Sequence, residues 1–169
     1  MDNTGRLLLL VVFGGAGLIA MLAAINLILP AQVERTRGAL EGSLGRSFTL
    51  GVVNSLFAGI IAALFIWLAQ RTGGGVAGGL LGLVALLAAF LAIVLALLGL
   101  AGLSGLLGIR MSGGKTEFGA YLRGGLLLLL ACLTPYVGWF VFTPLAVWIA
   151  LGAAIQAVFR RGDRAIPGR

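Results

Sequence analysis

Within and beside its apolar runs the chain places few side chains able to do chemistry: Asn26, Asn54, Ser55, Gln70, Ser104, Thr134 and Thr143. All are neutral, so they can share hydrogen bonds but cannot carry a charge or relay a proton as a carboxylate would. The five carboxylates, Asp2, Glu34, Glu41, Glu117 and Asp163, all fall outside the runs, which leaves no pair in the bilayer for acid–base work. There is no histidine, the commonest general base, a usual zinc or copper ligand and the commonest axial ligand of haem. The one cysteine, Cys132, supports neither a disulfide framework nor a paired-thiol motif. From these residues we expect no catalytic, cofactor-binding or metal-binding set, and a protein that is not an enzyme. Asn26 and Asn54, the intramembrane polar candidates, have two kinds of work open to them: hydrogen bonds between helices, or contact with a ligand.

The elements that hold these groups follow from hydropathy. Hydrophobic residues make up 60% of the 169 and charged ones 10%, a balance that leaves a soluble domain of this size short of polar surface. A crossing of the ~30 Å hydrocarbon core takes about 20 apolar residues, and several uncharged runs reach that length. The expected fold is therefore all-α: a polytopic transmembrane helix bundle, one integral membrane domain over residues 1–169, with four to five segments at about 7–29, 48–69, 76–103, 118–134 and 144–160. The first is read as a retained span and not a cleaved signal, because it lacks a small-x-small exit.

Pro30 stops the first segment, and Ser47 stands where it can cap the second. Between them, 31–46 is a polar juxtamembrane stretch in which Val33, Leu40 and Leu44 share one helical face, the pattern of a short surface helix beside the membrane. The third run, 76–107, would measure ~48 Å as one helix, more than the hydrocarbon thickness. Gly99, Gly102, Gly105 and Gly108 recur every third residue near its end and predict irregularity or emergence there. Thr134-Pro135 and Thr143-Pro144 interrupt the stretch 118–159 and predict a turn between them, making the last two segments a short hairpin that either crosses or re-enters.

Glycine, at 28 residues, carries the packing signal. Gly74, Gly78 and Gly82 form a small-xxx-small series, Gly75 and Gly79 repeat the spacing, and Gly14, Gly15 and Gly17 crowd the first segment. These are the expected helix-packing positions, within this chain or against another subunit, since small residues let backbones approach closely in lipid. A phosphate-binding loop is not indicated, because 72–79 lacks the lysine and serine that would hold phosphates.

Twelve Lys and Arg against five Asp and Glu give a net charge of +7. No basic patch is interleaved with aromatics, so the expected partner of this charge is acidic lipid and not nucleic acid. Arg123, Arg160 and Arg161, with Trp67 and Trp139, are expected at the lipid head groups. With five segments, Arg6 and Arg71 fall on one side and the other ten cations on the opposite side. The positive-inside rule then sets the N-terminus outside and the C-terminus in the cytoplasm, in a multi-pass protein of the cell membrane.

The residues Pro30-Ala31-Gln32-Val33-Glu34-Arg35, then Ala39-Leu40, Leu44-Gly45-Arg46-Ser47 and Leu50-Gly51, with Pro135-Tyr136-Val137-Gly138-Trp139 and Leu151-Gly152-Ala153, resemble the C-terminal multi-helix membrane region of bactofilin-like polymer-forming membrane proteins. The resemblance implies a membrane anchor. The β-helical polymer-forming domain of that family is absent from these residues, so polymer formation is not implied, nor is any catalytic residue. The functional expectation is a structural or accessory subunit, or anchor, of a larger membrane assembly. An energy-transducing complex is one possible host, with pigment touched by apolar walls and not ligated by histidine. No cofactor is expected; bound lipid, other membrane subunits or further copies of the chain are the expected partners. The alternative is a small transporter or channel with a neutral pathway through Asn26, Asn54, Thr134 and Thr143.

Overall fold

Backbone N–H and C=O groups in hydrocarbon must find partners within their own segment, and this chain meets that demand with helices. The computed structural model describes residues 3–72, 75–113 and 118–159. It contains α1 (Asn3–Ile28), α2 (Pro30–Gly42), α3 (Leu44–Arg71), α4 (Val76–Met111), α5 (Phe118–Leu133), a π-helical turn (Gly138–Phe142) and α6 (Thr143–Phe159). Four helical stretches are long and apolar enough to cross a membrane, 4–28, 44–71, 76–111 and 138–159, and α5 is a shorter apolar helix. The result is the all-α bundle expected of a membrane protein.

Pro30 separates α1 from α2 by occupying the first turn of the new helix, where its missing N–H costs nothing. Leu29 leaves the helical region (φ −121°, ψ 49°), and its carbonyl accepts from the amides of Gln32 and Val33. The expected helix in 31–46 is present, but it does not lie on the surface. Val33, Thr36, Ala39 and Leu40 are buried, and α2 is wedged against α4 and α6. Thr36 and Ala39 are small enough to let the helix sink in, whereas Leu44, expected on the same face, is exposed and begins α3. Ser47 does not cap α3. The helix starts three residues earlier after extended Ser43, and Ser47 is fully buried inside it with its hydroxyl donating to the Ser43 carbonyl at 3.2 Å.

In the third run the expected irregularity is absent. No break or irregularity occurs at its glycines: α4 is one helix of 36 residues through Met111. Each glycine costs about 1 kcal/mol of helix propensity, but an unbonded backbone in lipid costs several, and close packing offsets the rest. Between α5 and α6 the break is narrower than the two Thr-Pro pairs imply. Only Thr134–Tyr136 leaves the helix, with Tyr136 in the left-handed region at φ 64°. Pro144 does not interrupt α6, because the π-helical turn before it moves the hydrogen-bond register by one residue. The Thr143 amide and its hydroxyl, the latter at 2.9 Å, both donate to the Gly138 carbonyl.

Contact pairs define the directions. Gly108 faces Ala120 while Gly124 faces Ser104, so α5 runs antiparallel to α4. Gly15 meets Leu129 and Gly125 meets Ile19, so α1 is antiparallel to α5. Gly51 meets Trp148 and Ser47 meets Gln156, so α6 is antiparallel to α3. The core gathers at one end, where Leu22, Val33, Ala101, Leu128 and Ala146 form one cluster and Ala39, Leu40, Leu106 and Ala153 another. Away from it, the outer halves of α3 and α4 project as a hairpin. Their most apolar 18-residue windows are 0% and 6% buried, against 39% for the 138–159 stretch.

Candidate functional site

The contact layer at this end is built on glycines that admit a neighbouring backbone. A methyl group at Gly99 would overlap the Ala150 carbonyl of α6, and one at Gly51 the Trp148 carbonyl. Gly108 and Gly124 stand against each other across α4 and α5, and Gly152 against Ser47 and Gly51 across α6 and α3. In lipid, where apolar burial gains little, such approach is what holds helices together. Gly102 and Gly105 perform the same service for α2: a Cβ on Gly102 would lie 2.9 Å from the Thr36 methyl.

Three polar groups are drawn into this layer. Asn26, 4% exposed, donates from Nδ2 to the Leu22 carbonyl at 2.8 Å and across to the Ala101 carbonyl of α4 at 3.1 Å. Its Oδ1 and a terminal guanidinium nitrogen of Arg37 each lie 2.9 Å from where a Gly105 Cβ would stand. Asn26 Oδ1 and Arg37 Nε are both buried without a hydrogen-bond partner among the described residues. On the other side of α2, Gln156 of α6 donates to the buried Ser47 hydroxyl at 2.9 Å. Asn26 and Gln156 each tether a helix already brought close by a glycine.

The expected residues divide sharply. Asn26 does bond between helices. Asn54 bonds only the Leu50 carbonyl of its own helix at 2.9 Å, and Thr134 and Thr143 likewise bond local carbonyls. Thr134 lies ten residues, ~15 Å of helix, beyond the Gly124 contact. A slot of 120 Å³ opens between α2, α4 and α6, lined by Gln32, Arg35, Leu98, Ala157 and Val158, and so by none of Asn26, Asn54, Thr134 or Thr143.

Of the expected packing glycines, Gly15 meets Leu129 of α5, and Gly78 meets Thr72 and the Ala69 carbonyl at the α3–α4 turn. Gly14, Gly17, Gly75, Gly79 and Gly82 meet nothing within 4 Å among the described residues. Trp67, Trp139 and Arg123 are exposed, and the Arg71 guanidinium sits 5.0 Å over the Trp67 ring. Gly74, Arg160 and Arg161 lie outside the described residues.

Sequence reasoning missed Gly51, Gly152, Gly124, Thr36, Arg37 and Gln156. Gly99, Gly102, Gly105 and Gly108 carry a signal, since residues three apart share a helical face, but the same spacing also reads as helix weakness. Gly51 and Gly152 carry no such spacing; only their partners' positions reveal them. Compared with known proteins, the chain matches no family model, no curated protein and no solved structure.

Proposed function

We propose that this protein is a non-enzymatic structural or accessory subunit, or membrane anchor, of a larger membrane assembly. One observation carries the reading: the projecting α3–α4 hairpin bears Gly75, Gly79 and Gly82, at helix-pairing spacing, with none of the described residues against them. Lipid tails gain nothing from glycine, whereas a second transmembrane helix does. The resemblance of α2 and of the Pro135–Trp139 turn to the anchor region of bactofilin-like proteins supports the same reading. So does the chemistry on offer, in which glycines, amides and hydroxyls hold helices together and Glu34 and Glu41 face outward.

In this reading the protein crosses the cell membrane with α2 and the α4–α5 connection on the cytoplasmic side. A host that transduces energy is one form of the assembly, with any pigment held by apolar walls.

The test places cysteines at Gly79 and Gly82 (Gly79→Cys, Gly82→Cys), open positions that tolerate the change, and cross-links native membranes. Adducts to another membrane polypeptide or to a second copy are expected. A lone, monodisperse monomer after purification in mild detergent, with no adduct in membranes, would overturn the proposal.

A further inference from the structure

The slot between α2, α4 and α6 has walls and a mouth of opposite character. Leu98, Ala157 and Val158 are apolar; Gln32 and Arg35, one turn apart on α2, present an amide and a guanidinium. The two lie on the flank of the face that α2 buries, opposite the flank carrying Arg37, so burying α2 is what brings them to the slot. Beside the slot the surface stays greasy: the lining residue Val158 and the next residue, Phe159, are exposed.

We propose that this slot binds an anionic glycerophospholipid. The Arg35 guanidinium holds the phosphodiester through paired charge-assisted hydrogen bonds, and the Gln32 amide meets a neighbouring head-group or ester oxygen. An acyl chain leaves along Leu98 and Val158 toward the exposed apolar surface. A slot of 120 Å³ admits the phosphate and the first atoms of the glycerol and chain, not the whole lipid, which fits a molecule otherwise lying in the bilayer. A free inorganic anion is the poorer occupant, because three apolar walls strip its hydration and return only one cation.

Charge favours the same occupant. The sequence continues after Phe159 with Arg160 and Arg161. In sequence they follow the lining residue Val158 by two and three positions, which adds positive charge to that segment of the chain. The site needs no second subunit, so it stands or falls apart from the assembly reading.

The experiment uses the full chain in mild detergent, supplied in turn with phosphatidylglycerol, phosphatidylcholine and inorganic phosphate. Retained lipid is read by native mass spectrometry, and protection by thermal unfolding. Phosphatidylglycerol should be retained about tenfold over phosphatidylcholine, whose phosphodiester is the same but whose choline cation is repelled by the Arg35 guanidinium, and Arg35→Gln should bring the two to near parity. Gln32→Leu, also outside the packed core, should cut the preference several-fold and serves if Arg35→Gln fails to fold. Arg71→Gln, at the far end of α3, should leave it unchanged. An unaltered preference in Arg35→Gln and Gln32→Leu overturns the proposal, as does an equal loss in Arg71→Gln. Protection by inorganic phosphate equal to that by phosphatidylglycerol also overturns it, assigning a free-anion site.

Discussion

At the residue scale, what distinguishes one glycine from another is whether a carbonyl stands where a side chain would. Gly99 faces the Ala150 carbonyl, while Gly79 faces nothing, yet both belong to α4 and both carry the same propensity cost. Gly99→Ala should therefore destabilise the protein by about 1–3 kcal/mol, because α6 must move away from α4. Gly79→Ala should be neutral or stabilising by up to about 1 kcal/mol in the isolated chain. Reversible unfolding in mixed micelles measures both, and equal effects would mean that α4 and α6 do not meet at this contact. The Asn26 amide and the Arg37 guanidinium follow the glycine at 105: they reach one another's neighbourhood only because no side chain occupies it.

At the element scale, α2 is the segment whose place is least obvious from its composition. Seven of its thirteen residues are charged, amide or hydroxyl-bearing, or a helix-breaking proline, yet four of its residues are buried against α4 and α6. The fit depends on Thr36, which is 0% exposed and whose hydroxyl donates to the Gln32 carbonyl at 2.9 Å. Thr36→Val preserves shape and should change stability little, since the lost bond is local. Thr36→Leu adds volume against Gly102 and should cost about 1–3 kcal/mol. It should also free α2: in a Cys132→Ala background, a reporter at Ala39 (Ala39→Cys), protected beside Thr36, becomes reactive to maleimide only with Thr36→Leu. Protection that persists would show that α2 is held by other contacts. The π-helical turn is the other local device, reconciling Pro144 with a helix that runs on through it.

At the scale of the whole molecule, burial is uneven. α1, α2, α5 and α6 gather round the glycine-bearing end of α4, while the α3–α4 hairpin extends past them with its apolar side chains outward. Arg71 stacked on Trp67 marks the outer tip, and Arg35, Arg46, Arg110 and Arg123 sit toward the other end. The proposed topology makes a direct prediction at two open glycines. In intact cells Gly75→Cys should react with an impermeant thiol reagent, and Gly42→Cys only after permeabilisation. The reverse pattern would invert the protein in its membrane.

Helix content, the number of segments and the apolar surface were legible in the amino-acid order, because hydropathy and the cost of unbonded backbone in lipid are properties of the local chain. The polar character of 31–46 and the turn near Pro135 were legible for the same reason. Which glycines pack, that α2 sinks between α4 and α6, and that Gln32 and Arg35 share a slot with Val158 were decided by tertiary structure. Those facts depend on which residues meet from distant parts of the sequence, as Ser47 and Gln156 do across 109 positions. A glycine contributes no side chain of its own to announce a partner; its meaning lies in the backbone that comes to rest against it.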